Sequence, residues 1–129
     1  MGGRTMRILV VDDEIAKPLA DTVKYFFPTA DVVSADGGQR AIQELQVGCD
    51  FLVTDYNMPK VGGLEVIQAA LQAGLSTERI IVITGSGISA QGTLQNLKAA
   101  EALGIKHCLK KPFGLKDMGV LFKEMGLLK

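Results

Sequence analysis

Short apolar runs alternate with longer amphipathic stretches along the chain. Three of these runs, Ile8–Val11, Phe51–Val53 and Ile80–Ile83, contain no polar residue. An unbroken apolar run predicts a strand that helices cover on both faces, because neither face of such a strand meets water. The five predicted strands are Arg7–Val11, Asp31–Ala35, Phe51–Thr54, Ile80–Thr84 and Lys106–Leu109.

Between the runs, apolar residues recur at the spacing of a helix. The five apolar stripes are Ile15, Leu19, Val23 and Phe26; Ile42 and Leu45; Leu64, Ile67 and Leu71; Leu94 and Leu97; and Leu115, Met118, Phe122 and Met125. Gly74 and Gly104 follow the third and fourth stripes and predict helix ends. Strictly alternating strands and helices predict an α/β fold of the (βα)5 type, a doubly wound, parallel, five-stranded sheet.

Length and composition are those of one domain. The chain has 129 residues, of which 47% are hydrophobic. A domain of this size can bury a substantial core. Residues 1–6 are predicted to form a leader and residues 7–129 the domain.

Charge and residue usage exclude several classes of protein. The formal net charge of +0 gives no electrostatic basis for direct contact with nucleic acid. One His and two Cys provide neither a His-rich zinc site nor a disulfide framework. No apolar run approaches the roughly 20 residues that span a bilayer, so membrane insertion is not expected. We expect a cytoplasmic protein.

Polar residues follow the predicted strands at the edge where functional groups gather in such sheets. Asp12 and Asp13 follow the first strand, Asp55 the third, and Lys111 the fifth, while Thr84 ends the fourth. Converging carboxylates repel one another unless a cation lies among them, and hard oxygen ligands favour Mg²⁺. This set supports attack by a carboxylate on phosphorus, with Asp55 as the candidate nucleophile.

Four motifs in order resemble the response regulator receiver domain of two-component signalling. They are Ile8–Glu14, Asp55–Pro59 followed by Gly62 and Gly63, Ile83–Gly85, and Lys111–Phe113. Together they cover the chain from about residue 7 to its end. The resemblance implies a flavodoxin-like sheet with strand order 2-1-3-4-5, in a domain that occupies residues 7–129.

The resemblance also implies the roles of the acidic residues. Asp55 would accept a phosphoryl group from a histidine kinase or a histidine phosphotransfer protein. Asp13, Asp55 and the backbone carbonyl of Asn57 would bind Mg²⁺, with Asp12 acting through water. Such a domain is not an enzyme in its own right, because it assists only its own phosphorylation and dephosphorylation.

The remaining motif residues would connect phosphorylation to a partner. By resemblance, Thr84 would contact the phosphoryl group and Lys111 would form an ion pair with it. The Lys111–Pro112 peptide bond resembles the cis peptide of the family. The changed surface would then act on a downstream target or output domain. The family usually has Tyr or Phe three residues before its signature lysine, whereas this chain has Cys108. That output route is therefore in question.

Other interpretations stay open at this stage. Asp12 and Asp13 could cap the first helix, since carboxylates suit a helix N-terminus. A Mg²⁺-dependent aspartyl phosphatase would also use a strand-end Asp nucleophile, but it normally needs a second Asp where this chain has Asn57. A receiver-like module that binds a partner without phosphorylation is the third possibility, and the complete set of site residues argues against it.

Overall fold

The chain folds as five strands and five α-helices in strict alternation, in a computed structural model that describes residues 5–85 and 90–128. The strands are β1 (Arg7–Val11), β2 (Asp31–Ala35), β3 (Phe51–Asp55), β4 (Ile80–Thr84) and β5 (His107–Lys110). The helices are α1 (Ala16–Phe26), α2 (Gly38–Val47), α3 (Gly63–Gln72), α4 (Ala90–Ala102) and α5 (Leu115–Glu124), with a 3₁₀ turn at Thr77–Arg79.

The strands form one parallel sheet in the order β2-β1-β3-β4-β5. The predicted fold class and strand order are therefore confirmed. Residues 1–4 of the predicted leader and the side chain of Leu94 lie outside the described part of the chain. The predicted leader and domain bounds stay predictions.

Alternate residues of the central strands pack on opposite sides of the sheet. On one side, Ile8 and Val10 contact residues of α1 and α5. On the other side, Leu9 and Val11 contact residues of α2, α3 and α4. All four side chains are buried, which explains why β1 contains no polar residue after Arg7.

Three strand boundaries, in β3 and β5, differ by one residue from the prediction. β3 extends to Asp55, which pairs with Ile83, and β5 begins at His107 and ends at Lys110, which pairs with Thr84. The prediction followed apolar character, whereas a strand continues for as long as its backbone pairs with a neighbour. The two shifts at strand ends place charged residues, Asp55 and Lys110, on the last position of a strand.

The starts of two helices lie very close to the loop that follows β3. A Cβ atom on Gly63 would overlap the carbonyl oxygen of Asp55, and one on Gly38 would overlap the carbonyl of Val61. Only glycine permits this approach. The loop after Asp55 is thereby held against α2 and α3.

None of the helices in the described ranges has the length and the apolar character needed to cross a membrane.

Candidate functional site

Three carboxylates converge at the carboxyl edge of the sheet. One oxygen each from Asp12, Asp13 and Asp55 lies within 4.8 Å of the others. Pairing of Val11 with Thr54 brings the next residues of the two strands, Asp12 and Asp55, to the same level at this edge. Asp12 is fully buried and Asp55 is 3% exposed. The structure therefore brings together the carboxylates selected from the sequence.

Lys111, which directly follows β5, lies next to two of these carboxylates. Its Nζ lies 3.1 Å from Oδ2 of Asp12 and 3.8 Å from Oδ2 of Asp55. Its backbone N–H donates to the carbonyl of Thr84 at 2.7 Å, which ties the end of β5 to the end of β4. The Lys111–Pro112 peptide bond is cis, as the resemblance implied.

Both carboxylate oxygens of Asp12 already have partners. Oδ1 accepts hydrogen bonds from the backbone N–H groups of Glu14 and Ile15, at 2.8 and 3.1 Å. Oδ2 accepts from Lys111. These amides belong to the turn before α1, whose N-cap is Ile15 and lacks a side-chain cap hydrogen bond, so the helix-capping interpretation is wrong for Asp12. These backbone donors had no signature in the sequence, because every non-proline residue carries one.

Asp13 and Thr84 present the opposite situation. Oδ1 of Asp13 and Oγ1 of Thr84 are buried, and neither has a hydrogen-bond partner among the described residues. A buried polar atom without a partner carries a free-energy cost, and such atoms often point to a bound ion or ligand. Both oxygens are therefore available to a cation or an anion.

The donor set fits Mg²⁺, a hard cation that takes oxygen ligands and usually keeps several waters. Asp13 offers the buried oxygen without a partner, and Asp55 offers a carboxylate at the centre of the group. Asp12 is engaged by Lys111 and two amides, which suits contact through water.

The electrostatic environment of Asp55 is unusual for a carboxyl group. Burial raises the pKa of Asp55 from 3.8 to about 6. The positive charge of Lys111 lowers this pKa in part, whereas the negative charges of Asp12 and Asp13 raise it. The anionic form of Asp55 is therefore destabilised until a cation joins the cluster.

Asn57 lies two residues beyond Asp55, and its side chain is exposed. Tyr56 lies between Asp55 and Asn57. Its backbone N–H donates to the carbonyl of Ile83 at 2.9 Å, which fixes the direction of the chain from Asp55 to Asn57. The ligand role of the Asn57 carbonyl stays a prediction.

Cys108 occupies the middle of β5, where it pairs with Val82 and is partly buried. Burial raises the pKa of its thiol, and the charge of Glu101 adds to this effect. The described structure thus has a small, uncharged side chain at this position, next to the strand that carries Thr84.

Comparisons with known proteins agree with this geometry. A model of the response regulator receiver domain family matches residues 8–122. The transcriptional regulatory protein TrcR of Mycobacterium tuberculosis is 28% identical over 128 residues, or 98% of this chain and 47% of that protein. The virulence sensor protein BvgS of Bordetella bronchiseptica is 31% identical over 116 residues, or 86% of this chain and 9% of that protein.

The fold is also that of solved structures. The chemotaxis protein CheY4 of Vibrio cholerae superposes with a TM-score of 0.75 at 21% identity, over 95% of this chain and 99% of that one. The chain thus matches the whole of this solved protein but less than half the length of the curated relatives above.

Proposed function

Because this chain belongs to the response regulator receiver domain family, we propose that Asp55 is its phosphoacceptor in a two-component phosphorelay. The phosphoryl donor is a histidine kinase or a histidine phosphotransfer protein. The transfer needs Mg²⁺, and the modified surface then acts on a downstream target or output domain.

The arrangement of Lys111 between Asp12 and Asp55 is the observation that carries this proposal. A carboxylate oxygen of Asp55 forms a bond to phosphorus while the bond from phosphorus to the donor atom breaks. The leaving group departs with the electron pair. The new acyl phosphate adds negative charge to a buried site, and Lys111 is placed to form an ion pair with it.

Thr84 supports the same step from the neighbouring strand. Its buried hydroxyl has no partner in the described part of the chain, so it is free to donate to a phosphoryl oxygen. A hydroxyl that gains a partner only in the phosphorylated state favours that state.

Mg²⁺ would be held by Asp13 and Asp55 directly, with the Asn57 carbonyl as a further ligand and Asp12 through water. When bound, it neutralises charge that develops on the transferring group. The chain's own part is to hold Asp55 at the end of β3 and to keep Asp12 fixed through the amides of Glu14 and Ile15.

The protein acts as a switch rather than as an enzyme with a separate substrate. An aspartyl phosphatase is disfavoured because the position two residues after Asp55 has an amide, Asn57, which cannot serve as a general acid. One curated relative is named a transcriptional regulatory protein and another a virulence sensor protein. A kinase and an output domain are accordingly the partner classes that we propose. The expected cytoplasmic location stays a prediction.

Intact-mass measurement tests the proposal. We expect the protein to gain one phosphoryl group, about 80 Da, on incubation with Mg²⁺ and acetyl phosphate. Asp55→Asn removes the nucleophile and abolishes this gain, whereas Asp21→Asn, an exposed position on α1, retains it. Equal labelling of the Asp55→Asn protein contradicts the assignment.

A further inference from the structure

Thr54 is a buried polar residue that has no part in the phosphotransfer step proposed above. It lies in β3 immediately before Asp55, is 0% exposed, and pairs with Val11 on one side and with Val82 on the other. Both of these neighbours are apolar and buried. Burial of a hydroxyl is unfavourable unless it forms a hydrogen bond, and a valine would have nearly the same shape. Packing alone therefore does not require a threonine at this position.

The hydroxyl of Thr54 forms a buried hydrogen bond to the phosphoacceptor residue itself. It donates to the backbone carbonyl of Asp55 at 3.0 Å. Thr84 presents a contrast, because its buried hydroxyl has no partner among the described residues. A hydroxyl has one proton to donate. Thr54 therefore cannot donate to another group without losing its bond to Asp55.

The peptide group that joins Asp55 to Tyr56 is held at both ends. Its N–H donates to the carbonyl of Ile83 in β4 at 2.9 Å, and its C=O accepts from Thr54. Gly63 lies against the same carbonyl, because a Cβ atom on that glycine would overlap the carbonyl oxygen. This peptide group cannot rotate without breaking one of its two hydrogen bonds or meeting Gly63.

The orientation of this peptide group controls the position of Asn57 relative to Asp55. A planar peptide leaves two soft torsions per residue, so the chain between these residues turns only about the bonds that flank the peptide groups. Rotation about those next to the Asp55–Tyr56 peptide would displace the Asn57 carbonyl from the Asp55 carboxylate. Both groups are proposed ligands of Mg²⁺, and a metal site needs its ligands held in place.

From these contacts we propose that Thr54 is a positioning residue for the metal and phosphoryl site. Its hydroxyl fixes the peptide group after Asp55 and thereby keeps the Asn57 carbonyl in place before Mg²⁺ binds. Ligands that are already in place bind a cation without the free-energy cost of ordering the chain. Thr54 acts through the backbone and is not itself a ligand. This inference rests on the proposed function of Asp55.

Two substitutions separate the hydroxyl of Thr54 from its packing. Thr54→Val removes the hydroxyl and retains the branched shape, whereas Thr54→Ser retains the hydroxyl and removes one buried methyl group. Mg²⁺ affinity is measured without a phosphoryl donor, by amide NMR titration, and stability by urea unfolding in EDTA. Thr22→Val is the matched control, because the Thr22 hydroxyl on α1 also donates to a backbone carbonyl, that of Pro18, at 3.0 Å.

We expect Thr54→Val to weaken Mg²⁺ binding roughly fivefold, which is the effect of losing one hydrogen bond of about 1 kcal/mol. Thr54→Ser and Thr22→Val should bind Mg²⁺ as the parent does. The rate of labelling by acetyl phosphate at limiting Mg²⁺ should follow the same order. Thr54→Ser should nevertheless unfold at a lower urea concentration than the parent, because it loses a buried methyl group. A residue that served packing alone would show weaker Mg²⁺ binding in the Ser variant than in the Val variant.

Each other outcome has a definite meaning. Unchanged Mg²⁺ affinity in Thr54→Val overturns the inference, and so does equal weakening in Thr54→Val and Thr54→Ser. If the parent binds Mg²⁺ but Asp55 is not labelled, the proposed function is wrong, and the affinities still decide the role of Thr54. If the parent does not bind Mg²⁺, the inference fails together with the proposed metal site. Should Thr54→Val not fold, Thr54→Ala and Thr54→Ser give the same comparison, since only Ser retains the hydroxyl.

Discussion

Lys111 donates a 3.1 Å hydrogen bond through Nζ to Oδ2 of Asp12, although 99 positions separate the two residues in the chain. Asp12 uses its other oxygen to accept two backbone N–H groups. Lys111 is therefore paired with a fixed carboxylate, that of Asp12, while Asp55 is unmodified. A phosphoryl group on Asp55 would compete with Asp12 for this lysine. Such a change of partner by Lys111 would be a physical difference between the unmodified state and the proposed phosphorylated state.

We expect Lys111→Met to permit phosphorylation but to weaken its structural effect, because the cation that would pair with the phosphoryl group is gone. Amide chemical shifts from Val82 to Gly85, compared before and after labelling, measure this effect. Lys110→Met is the matched control, since that neighbouring side chain is exposed. Unchanged shift differences in the Lys111→Met protein would show that the lysine has no such role.

Asp13 and Asp12 should differ in their effect on Mg²⁺ binding. Asp13 has a buried oxygen without a partner among the described residues, whereas both oxygens of Asp12 are engaged. Asp13→Ala should weaken Mg²⁺ binding at least tenfold and stop metal-dependent labelling, and Asp12→Asn should do less. Titration with Mg²⁺ followed by NMR gives the affinity.

The exposed Asp36 offers a control for the charge of the region, because Asp36→Ala removes one nearby carboxylate without removing a proposed ligand. Labelling of the parent protein at full rate in the presence of EDTA would contradict the proposed need for a metal.

Without metal, Asp55→Asn should stabilise the protein at neutral pH. The pKa of Asp55 is raised by burial from 3.8 to about 6 in the folded state. Its contribution to stability is therefore fully present below pH 3.8 and is lost as the pH rises through 6, because the folded state must then hold a buried anion. Removal of that anion should increase the free energy of unfolding by about 1–3 kcal/mol at pH 8.

Urea unfolding in EDTA at pH 4 and pH 8 measures this difference. We expect the Asn variant and the parent to differ much less at pH 4 than at pH 8. If the Asn variant is less stable than the parent at pH 8, the raised pKa of Asp55 does not dominate the difference in stability between the two proteins.

The sequence predicted the sheet well because each strand carries a local signal. Ile8–Val11 and Ile80–Ile83 are apolar throughout, and burial on both faces requires that. The acidic cluster was predictable for a different reason. Asp12 directly follows such a run, Asp55 follows another after Thr54, and parallel strands bring their carboxyl ends to one edge.

What the sequence could not supply depends on distances between remote parts of the chain. Ile15 and Leu115 lie in predicted apolar stripes but are 40% and 52% exposed, and an apolar stripe does not show which of its residues contact the core. The oxygen of Asp13 that lacks a partner in the described ranges is a further example, because the identities of neighbouring residues do not show which carboxylate has partners.

Arg7 joins the opposite end of the sheet to α2, and Arg7→Lys should destabilise the fold. Its guanidinium donates to the carbonyls of Glu44 and Gly48 and lies 2.7 Å from Oε1 of Glu44. A lysine cannot make this set of planar contacts. The expected loss is about 1–3 kcal/mol, with no change in labelling of Asp55.

The contact between Arg7 and Glu44 also predicts how the stability of the fold depends on pH. Hydrogen bonds from Arg7 and then Arg40 lower the pKa of Glu44 below 4.5. The stability that Glu44 contributes is therefore present above pH 4.5 and is lost as the pH falls through its folded-state pKa. In urea unfolding from pH 3 to pH 7, the free energy of unfolding should fall less steeply toward low pH for Arg7→Lys than for the parent. The same pH dependence in both proteins would contradict the role of this pair.

The last prediction concerns Cys108, which lies where the family usually has an aromatic residue. A receiver responds to phosphorylation only through contacts that differ between its two states. Cys108 is partly buried beside Val82 and has one side-chain torsion, so its sulfur cannot move from an exposed to a buried position over a large distance. Cys108→Ala should therefore leave both labelling and the shift changes from Ile80 to Gly85 as they are in the parent.

An aromatic side chain should behave differently at that position. Cys108→Tyr introduces a ring that cannot occupy the space of a cysteine, and it has to lie partly in solvent before phosphorylation. If Thr84 moves toward the phosphoryl group, it frees space beside β5 that the ring can enter. We expect Cys108→Tyr to enlarge the phosphorylation-induced shifts around His107–Lys110, measured by amide NMR against the Cys108→Ala protein. If Cys108→Ala instead removes the response of β4, the thiol itself takes part in the switch, and signalling in this protein depends on a contact that the aromatic residue of its relatives does not make.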